Sequence, residues 1–592
     1  MINRSTRRRF MAYFSGAGLA TTLLPGVLWA KMQEARAQRI TAAMLKDALA
    51  VAGLEFTDEE REQLVNGLNE NLERYENIRR LDLDALAPPL YFSPLVPGTP
   101  IDRAARPARP SRVPSIKRPS QLEDLAFAPI AHLAQLVKTR QVRSVELTEM
   151  YLARLKRYNP TLNCVVTFTD DLAMQQARQA DEEIAAGKYR GPLHGIPWGC
   201  KDIIAVPGYP TTWGSDAFKD QVIDTEATVV RLLREAGAVM IAKLTTGELA
   251  AGDRWFGGRT NSPWDPKDGS SGSSAGPASA TGAGCVAFGI GTETSGSILS
   301  PATACGVTGL RPTFGRVSRH GCMTLSWSQD RVGPLCRTVE DCALVLGVIA
   351  RPDEQDLSVV DLPFNWDAGL DIRKLRVGYL RTGFEEANRE ADWRKNDEAV
   401  LESLRFLGIT PEPFDLTSLA TPLVGGSGGI FGAESAASFD AFLRSGRASQ
   451  LTNKQRANGF RQNRFIPAVE YLQAQRARAL LMRQFAAVVG TFDVYVAPYM
   501  AVRGGAAADT AASTSATTPR PPQPPSAIRD HFQIANVCGY PAVSVPNGFT
   551  AEGKPTSITF LGRLYNEAQI MALARAYQEH AGWHKNQPRL TN

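Results

Sequence analysis

The sequence is poor in the residues that build metal centres and nucleic-acid surfaces. Its six histidines are scattered, and its eight cysteines show neither CxxC nor metal-ligand spacing, so no metal site is expected. The net charge is only +6, and residues 1–37 account for five of these charges. Because the rest of the chain is nearly neutral, without a Lys/Arg cluster that forms a basic patch, we exclude a nucleic-acid partner.

Long apolar runs are also missing after residue 40. No stretch of about 18 apolar residues occurs there, so no membrane-spanning helix is expected in the mature chain. Hydrophobic residues make up 43% of the chain and charged residues 21%, as in ordinary globular proteins, which excludes wholesale disorder. We expect the cysteines to be buried small hydrophobic residues, and disulfides remain an alternative in an exported chain.

Residues 1–37 have the layout of an export signal. The arginines of Arg7-Arg8-Arg9 precede Phe10, and a weakly apolar stretch interrupted by Gly, Thr and Pro follows. It ends at Ala35-Arg36-Ala37, a small-x-small cleavage pattern. This resembles a twin-arginine signal peptide. The alternatives are a disordered basic N-terminus and a membrane anchor, and the polar interruptions disfavour the anchor. We therefore expect a periplasmic or secreted protein that is not stably inserted in a membrane after signal cleavage.

A helical extension is predicted over residues 38–87. Thr57 and Glu60 have the spacing of a capping box, and apolar residues then recur at helical spacing over 64–75. Residues 88–121 are rich in Pro and Arg, which predicts an extended connector. This layout resembles the small C subunit of tRNA-dependent amidotransferases, and a generic helical extension is the alternative.

From residue 122 to 592 helical and strand-like patterns alternate. A helix is predicted to start at Asp224-Thr225-Glu226, and Gly237 fits the left-handed position after its end. The apolar run 238–242 suits a buried strand. This order predicts the α/β class, as a single large α/β/α layered domain around a mixed β-sheet. Residues 504–525 are mostly Ala, Thr, Ser, Gly and Pro, which predicts a mobile loop within that domain.

Glycine and serine are most concentrated in residues 269–315. A flexible linker is one interpretation of such composition, but apolar residues such as Val286, Phe288 and Ile290 occupy strand-like positions within it. The other interpretation is a pair of tight loops whose backbone N–H groups approach a substrate oxygen, which only small residues permit. The apolar positions favour the second interpretation.

This stretch resembles the signature of the amidase signature family. Other motifs occur in family order, and the resemblance covers roughly residues 122–585. It implies a serine hydrolase that cleaves the C–N bond of linear amides, with esters and carbamates as further candidate substrates. The matching motifs are Gly191–Pro197, Lys201-Asp202, Glu248–Ala250, Gly269–Pro277, Gly291–Ile298 and Asn536–Pro546.

The resemblance implies a catalytic triad of Ser297, Ser273 and Lys201. In the family the bridging serine stands 24 positions before the nucleophile, which from Ser297 gives Ser273, and Lys201 lies 72 positions earlier. Family members hold the bridging serine on a cis peptide, here Gly272–Ser273. Burial disfavours the ammonium form, so a neutral Lys201 could accept a proton through Ser273 while Ser297 attacks the carbonyl.

The resemblance also implies an oxyanion hole formed by the backbone N–H groups of Thr294, Ser295 and Gly296. We expect Glu293 to accept hydrogen bonds that shape this loop rather than to act as an acid. We expect Asp202 to orient the same loop.

The expected substrate is a small-molecule amide, for which an apolar or aryl acyl group is favoured. Trp255 and Phe256 are either aromatic walls of the acyl pocket or core residues. We expect no metal or organic cofactor, and the oligomeric state stays open, a homodimer included. Two alternatives to an amidase remain. One is an amidotransferase A-subunit-like protein, which the export signal disfavours, and the other is a catalytically dead binding protein on the same fold.

Overall fold

The computed structural model describes residues 40–52, 54–79, 92–416, 419, 429–500 and 526–590. The signal peptide predicted at 1–37 and the mobile loop predicted at 504–525 lie outside these residues. Within the described ranges, no helix combines the length and the apolar character that a membrane span needs.

Helices account for much of the described chain. In chain order they are α1 Ala42–Ala52, α2 Asp58–Arg79, α3 Ile130–Lys138, α4 Ser144–Leu162, α5 Asp170–Ala185, α6 Thr228–Glu235, α7 Ala275–Gly282, α8 Leu299–Ala304, α9 Val339–Ile349, α10 Arg381–Phe384, α11 Ala391–Phe406, α12 Ile430–Ser438, α13 Asp440–Arg444, α14 Lys454–Asn463, α15 Ala468–Val489, α16 Ala527–Val537 and α17 Glu567–Ala581.

The strands form one large sheet and one small hairpin. The large sheet has 11 strands in the order β1-β3-β2-β6-β8-β7-β12-β13-β11-β9-β10, and the hairpin pairs β4 with β5. Parallel and antiparallel pairs both occur in the large sheet, which is therefore mixed, as predicted. The strands are β1 Val165–Phe168, β2 Pro197–Lys201, β3 Val239–Leu244, β4 Arg254–Trp255, β5 Gly258–Arg259, β6 Phe288–Glu293, β7 Thr308–Arg311, β8 Arg331–Cys336, β9 Val377–Leu380, β10 Glu412–Phe414, β11 Val494–Pro498, β12 Ala542–Phe549 and β13 Pro555–Gly562.

The large sheet separates two apolar cores. In β11, Val494 and Val496 belong to the larger core, whereas Tyr495 between them belongs to the smaller one. Successive side chains of a strand point to opposite faces, so the two cores lie on opposite sides of the sheet. Helices α5 and α17 contribute to the larger core, and α8 and α15 contribute to the smaller one. The predicted α/β/α layering is confirmed.

Strands β2 and β6 determine where functional side chains collect. They are neighbours and parallel, with Trp198 opposite Phe288 and Cys200 opposite Ile290. The carboxyl ends of parallel neighbours meet at one edge of the sheet, where open α/β folds bind their ligands. Lys201 at the end of β2 and Glu293 at the end of β6 therefore lie at the same edge of the sheet.

The helix predicted from Asp224 begins later than expected. Helix α6 starts at Thr228, after Ala227 in an extended conformation. The N–H of Ala227 donates to the carbonyl of Ala205 at 3.2 Å, so a tertiary contact fixes the chain before the helix can begin. Gly237 has a φ of +80°, as its predicted left-handed position requires.

The described part of the N-terminal extension contains α1 and α2, and residues 80–87 of the predicted extension lie outside the described ranges. The Thr57 N–H donates to the Glu60 carboxylate at 2.9 Å and the Glu60 N–H donates to Thr57 Oγ1 at 3.2 Å, which confirms the capping box. Leu64 and Leu68 pack with Leu45 in a small core of their own.

Helix α2 also packs on helices α14 and α15. Asn458 of α14 donates to the Gln63 side chain at 2.7 Å, and Arg461 pairs with Glu60 at 2.5 Å. The connector lies along the surface farther on, where the Arg109 N–H donates to the Trp366 carbonyl at 2.8 Å.

Candidate active site

Lys201 ends β2 with a fully buried side chain. Its Nζ donates to Ser273 Oγ at 2.8 Å and to Thr292 Oγ1 at 2.9 Å, and the Thr292 carbonyl oxygen lies at 3.4 Å. Thr292 belongs to β6, the parallel neighbour of β2. The three groups around the amine are uncharged, so no carboxylate makes a hydrogen bond that would fix the ammonium form.

Burial lowers the pKa of Lys201 from 10.5 to about 7. The low-dielectric surroundings penalise the ammonium more than the neutral amine. The negative charges of Asp330 and Glu293 act in the opposite direction, but more weakly. A large fraction of Lys201 is therefore neutral near pH 7 and able to accept a proton.

Ser273 is buried beside the lysine and follows a cis peptide bond, Gly272–Ser273, as the family resemblance implied. Gly272 has no room for a side chain, because a Cβ there would lie 1.9 Å from the Gly252 carbonyl oxygen. Glycine is thus required where this loop passes the 247–252 segment.

Ser297 lies half-buried at the start of the turn before α8. Its carbonyl accepts a hydrogen bond from the Ser274 N–H at 3.0 Å, which holds the two serine loops together. The Ser274 hydroxyl also bonds both the N–H and the carbonyl of Thr292, each at 3.1 Å. Within the described chain the Ser297 hydroxyl makes no hydrogen bond with Ser273. The structure therefore brings Lys201 and Ser273 into contact and places Ser297 on the adjoining loop.

The loop Thr294-Ser295-Gly296 is held at its first residue. Thr294 Oγ1 donates to Asp330 at 2.6 Å, and its carbonyl accepts from Asn536 Nδ2 at 2.8 Å. Gly296 has a φ of +91°, which favours glycine. Across the described residues, none of the three backbone N–H groups of this loop donates to another protein group.

Glu293 fixes the segment around Ser297 from within the core. Its carboxylate accepts from the N–H groups of Ile298 at 2.8 Å and Leu299 at 3.0 Å. Arg311 donates to its other oxygen at 3.0 Å, and both side chains of this ion pair are fully buried. Glu293 is thus a hydrogen-bond acceptor, as predicted, and its backbone donors are the two residues directly after Ser297 rather than the loop Thr294-Ser295-Gly296.

The prediction that Asp202 orients the same loop is wrong. Its carboxylate pairs with Lys243 Nζ at 2.9 Å and accepts from the Thr212 N–H at 3.0 Å. Asp202 begins the turn that follows β2, which the Ile204 N–H closes on the Lys201 carbonyl at 3.0 Å. The partners of its carboxylate are Thr212 and Lys243, and neither belongs to the serine loops.

Sequence reasoning missed three side chains of this region, Thr292, Asp330 and Arg311. Asp330 accepts from the N–H groups of Leu325 at 2.8 Å and Ser326 at 2.9 Å as well as from Thr294. Burial raises its pKa. Thr292 could have been found from its place at the end of a strand parallel to β2, but no local pattern singles out Asp330 or Arg311.

Trp255 and Phe256 belong to the small hairpin region and pack edge to face with ring centroids 4.8 Å apart. Neither lines the cavity of about 210 Å³ that opens beside Thr292 and Thr294. Over the described part of the chain, no three His, Cys, Asp or Glu side chains are grouped so that they could hold a metal ion.

Sequence comparison decides the family of this chain. The sequence model of the amidase family matches residues 146–571, well over half of the chain. The chain belongs to the amidase family. As a member it is an enzyme that acts on amide C–N bonds. The helical extension and the connector lie before the matched range.

Named relatives and solved structures agree with this assignment. The A subunit of the glutamyl-tRNA(Gln) amidotransferase of Chloroflexus aurantiacus is 34% identical over 485 residues, covering 76% of this chain and 96% of that protein. The native peptide amidase of Stenotrophomonas maltophilia superposes with a TM-score of 0.65 at 27% identity, covering 79% of this chain and 99% of that one. The 6-aminohexanoate cyclic dimer hydrolase, at 20% identity, shares the fold with a TM-score of 0.65 and coverages of 79% and 100%.

Proposed function

We propose that this amidase-family chain is an exported amide hydrolase in which Lys201 is the base, Ser273 relays protons and Ser297 is the nucleophile. One observation supports this most directly, the 2.8 Å hydrogen bond between the buried Lys201 amine and Ser273 Oγ. A lysine with a pKa near 7 can take a proton at neutral pH, which an ordinary lysine cannot.

The first half of the reaction forms an acyl-enzyme. Neutral Lys201 takes the proton of Ser273, Ser273 takes the proton of Ser297, and Ser297 Oγ attacks the amide carbonyl carbon. The carbonyl oxygen becomes an oxyanion, which accepts hydrogen bonds from the N–H groups of Thr294, Ser295 and Gly296. These donors are preorganised because Asp330 and Asn536 hold Thr294 on both sides.

The second half releases both products. The proton on Lys201 returns through Ser273 to the amide nitrogen, the C–N bond breaks, and the amine leaves as a neutral molecule. Water then attacks the ester of Ser297 while the same relay takes its proton, and the carboxylic acid is released. Over the whole cycle the leaving amine gains one proton and the water loses one, and Lys201, Ser273 and Ser297 return to their starting protonation states.

A fluorophosphonate probe tests the assignment of the nucleophile. The purified mature chain is expected to be labelled at Ser297 and to hydrolyse aryl amides, and Ser297→Ala is expected to lose both properties. Ser295→Ala is the matched control, since it removes an exposed hydroxyl on the same loop and keeps the backbone N–H. Labelling that persists in folded Ser297→Ala protein would contradict the assignment, and an unlabelled wild type would favour a binding protein without catalysis.

Export is supported by the twin-arginine pattern in residues 1–37. Replacing Arg7 and Arg8 together by lysine keeps the charge and removes the arginine pair. The variant is expected to accumulate in the cytoplasm in cell fractionation, whereas the unchanged chain is expected in the periplasm or the medium. Equal distribution of the two proteins would argue against this export route.

A second candidate follows from the name of the 34% identical relatives, which are amidotransferase A subunits. If this chain shared that activity, it would release ammonia from glutamine and pass it to a partner-bound acceptor. Glutaminase activity far above that on simple aryl amides would favour this candidate. The opposite preference would favour the hydrolase.

A further inference from the structure

A cavity of about 210 Å³ lies beside Thr292, the residue whose hydroxyl contacts Lys201. Its inner wall includes Thr292 and Thr294. Thr292 Oγ1 accepts the Lys201 hydrogen bond at 2.9 Å, and Thr294 starts the loop before Ser297. Ser297 does not itself line the cavity, but the loop that leads to it begins at Thr294 in the cavity wall.

Two carboxylates at the cavity, Asp330 and Asp356, already have hydrogen-bond donors within the protein. Asp330 accepts from Thr294 and from two backbone N–H groups. Asp356 accepts from Arg319 Nε at 2.8 Å and from its Nη2 at 3.0 Å, a bidentate ion pair. Both carboxylates are thus satisfied within the protein. Arg331 also lines the cavity and donates to the side chain and the carbonyl of Asn536, each at 2.6 Å, so none of the three needs a substrate group as its partner.

Two large apolar side chains stand at the same cavity and remain open to solvent. Trp327 is 42% exposed and Leu357 is 86% exposed. Eight large apolar side chains are exposed among the described residues, and these two are the ones that line this cavity. Exposed apolar side chains that line the same cavity indicate a binding surface, whereas single exposed apolar side chains are common on protein surfaces.

Both side chains are presented by anchored turns. Ser326 and Ser328, on either side of Trp327, donate to the buried Glu434 carboxylate. Leu357 follows a turn in which Asp353 accepts from the N–H groups of Gln355 and Asp356, each at 3.0 Å. Apolar surfaces that are fixed before binding lose little conformational entropy when a ligand covers them.

A single arginine ties the two turns together. Arg319 donates from Nη1 to the Trp327 carbonyl and from Nε and Nη2 to Asp356, one residue before Leu357. One guanidinium group therefore links the backbone of the Trp327 turn to the turn that carries Leu357. Arg319 acts here as a positioning residue.

We propose that Trp327 and Leu357 form a subsite for an apolar, preferably aromatic, group of the amide substrate. The proposal rests on the hydrolase function proposed above and adds its substrate class. An apolar cavity of about 150 Å³ is large enough for benzene, so a space of about 210 Å³ accepts a phenyl ring. The flat face of Trp327 suits such a ring.

Two matched substrate series test the subsite. In the first, acetamide is compared with butyramide and phenylacetamide, which vary the acyl side. In the second, N-methylacetamide is compared with N-benzylacetamide, which varies the amine side. In at least one series kcat/KM is expected to rise about tenfold or more with the phenyl group. A flat response in both series would overturn the proposal.

Variants then assign the preference to the two residues. Trp327→Ala is expected to lower the ratio of phenyl to methyl substrate kcat/KM about tenfold, and Leu357→Asn to lower it severalfold. Leu357→Asn also serves if Trp327→Ala fails to fold, since the Leu357 side chain is almost fully exposed. Phe406→Ala is the matched control, because Phe406 is 78% exposed and does not line the cavity.

The same experiment distinguishes a failure of the proposed subsite from a failure of the proposed hydrolase function. If the wild type is labelled at Ser297 and hydrolyses amides, but neither variant changes the ratio, the subsite is wrong and the hydrolase stands. If the wild type is neither labelled nor active on any amide, the hydrolase and the subsite are both overturned.

Discussion

Replacing Lys201 by methionine should abolish amide hydrolysis and, at the same time, stabilise the fold at low pH. Methionine has a similar length and no charge, so it fills the space of the fully buried lysine without an ammonium group. In the native chain burial lowers the pKa of Lys201 from 10.5 to about 7. The folded state then binds fewer protons than the unfolded state between these two pH values.

The size of the effect follows from that pKa. Below pH 7 the lysine is charged in both states, and its burial reduces the free energy of unfolding by about 5 kcal/mol. Between pH 7 and 10.5 the lysine is mostly neutral in the folded state and mostly charged in the unfolded state. The destabilisation caused by its burial therefore decreases steadily with pH and disappears above pH 10.5. At pH 9 about 2 kcal/mol remains, so the stability advantage of Lys201→Met should be about 3 kcal/mol larger at pH 6 than at pH 9.

Equilibrium urea unfolding of both proteins at pH 6 and pH 9 measures this difference. Packing changes and the lost hydrogen bonds to Ser273 and Thr292 are nearly independent of pH, so they cancel in the comparison. Lys243→Met is the matched control: it is equally buried but paired with Asp202 at 2.9 Å. Its loss leaves a buried carboxylate alone and should destabilise the chain by about 3–5 kcal/mol. A stability advantage of Lys201→Met that does not change with pH would refute the argument.

Three further outcomes are expected. The kcat/KM of the wild type should rise about tenfold between pH 6 and pH 8, because the neutral fraction of Lys201 rises through its pKa of about 7; a flat acid limb in a pH–rate profile would contradict this. Glu293→Gln should lower kcat by about 100-fold with the fold intact by circular dichroism, because it weakens the contacts of Ile298, Leu299 and Arg311 that hold the loop. Leu64→Ala should reduce the free energy of unfolding by about 2–5 kcal/mol in urea titrations, because Leu64 is buried in the small core of the extension; an effect below about 0.5 kcal/mol would show that this core is not part of the cooperative fold.

The layered fold and the strand position of Lys201 could be predicted from sequence because both depend on local patterns. The apolar run after the left-handed Gly237 predicts β3. The strand-like residues 198–203 predict the strand on which Lys201 lies, which is β2. The start of α6 could not be predicted, since a hydrogen bond from Ala227 to the distant Ala205 carbonyl fixes it. Local sequence contains no trace of that contact.

The surroundings of the serine loops were beyond prediction for the same reason. Thr294 meets Asp330 across 36 residues and Asn536 across 242 residues. A carboxylate or amide so far away in sequence cannot be distinguished from other polar residues until the order of the strands in the sheet is known. Glu293 was predictable because its hydrogen-bond donors, Ile298 and Leu299, follow within six residues.

Lys201 and Lys243 show why a buried lysine alone does not define a base. Both side chains are fully buried, and they extend from the neighbouring parallel strands β2 and β3. Lys243 lies 2.9 Å from the Asp202 carboxylate, which compensates its charge and gives it a structural role. Lys201 donates only to hydroxyl and carbonyl groups, so nothing in contact with it compensates an ammonium. The difference between the two lysines depends on the turn after β2, because the Asp202 carboxylate at its start contacts Lys243 and not Lys201. The chemistry proposed for this site thus depends as much on the position of the Asp202 carboxylate as on the lysine itself.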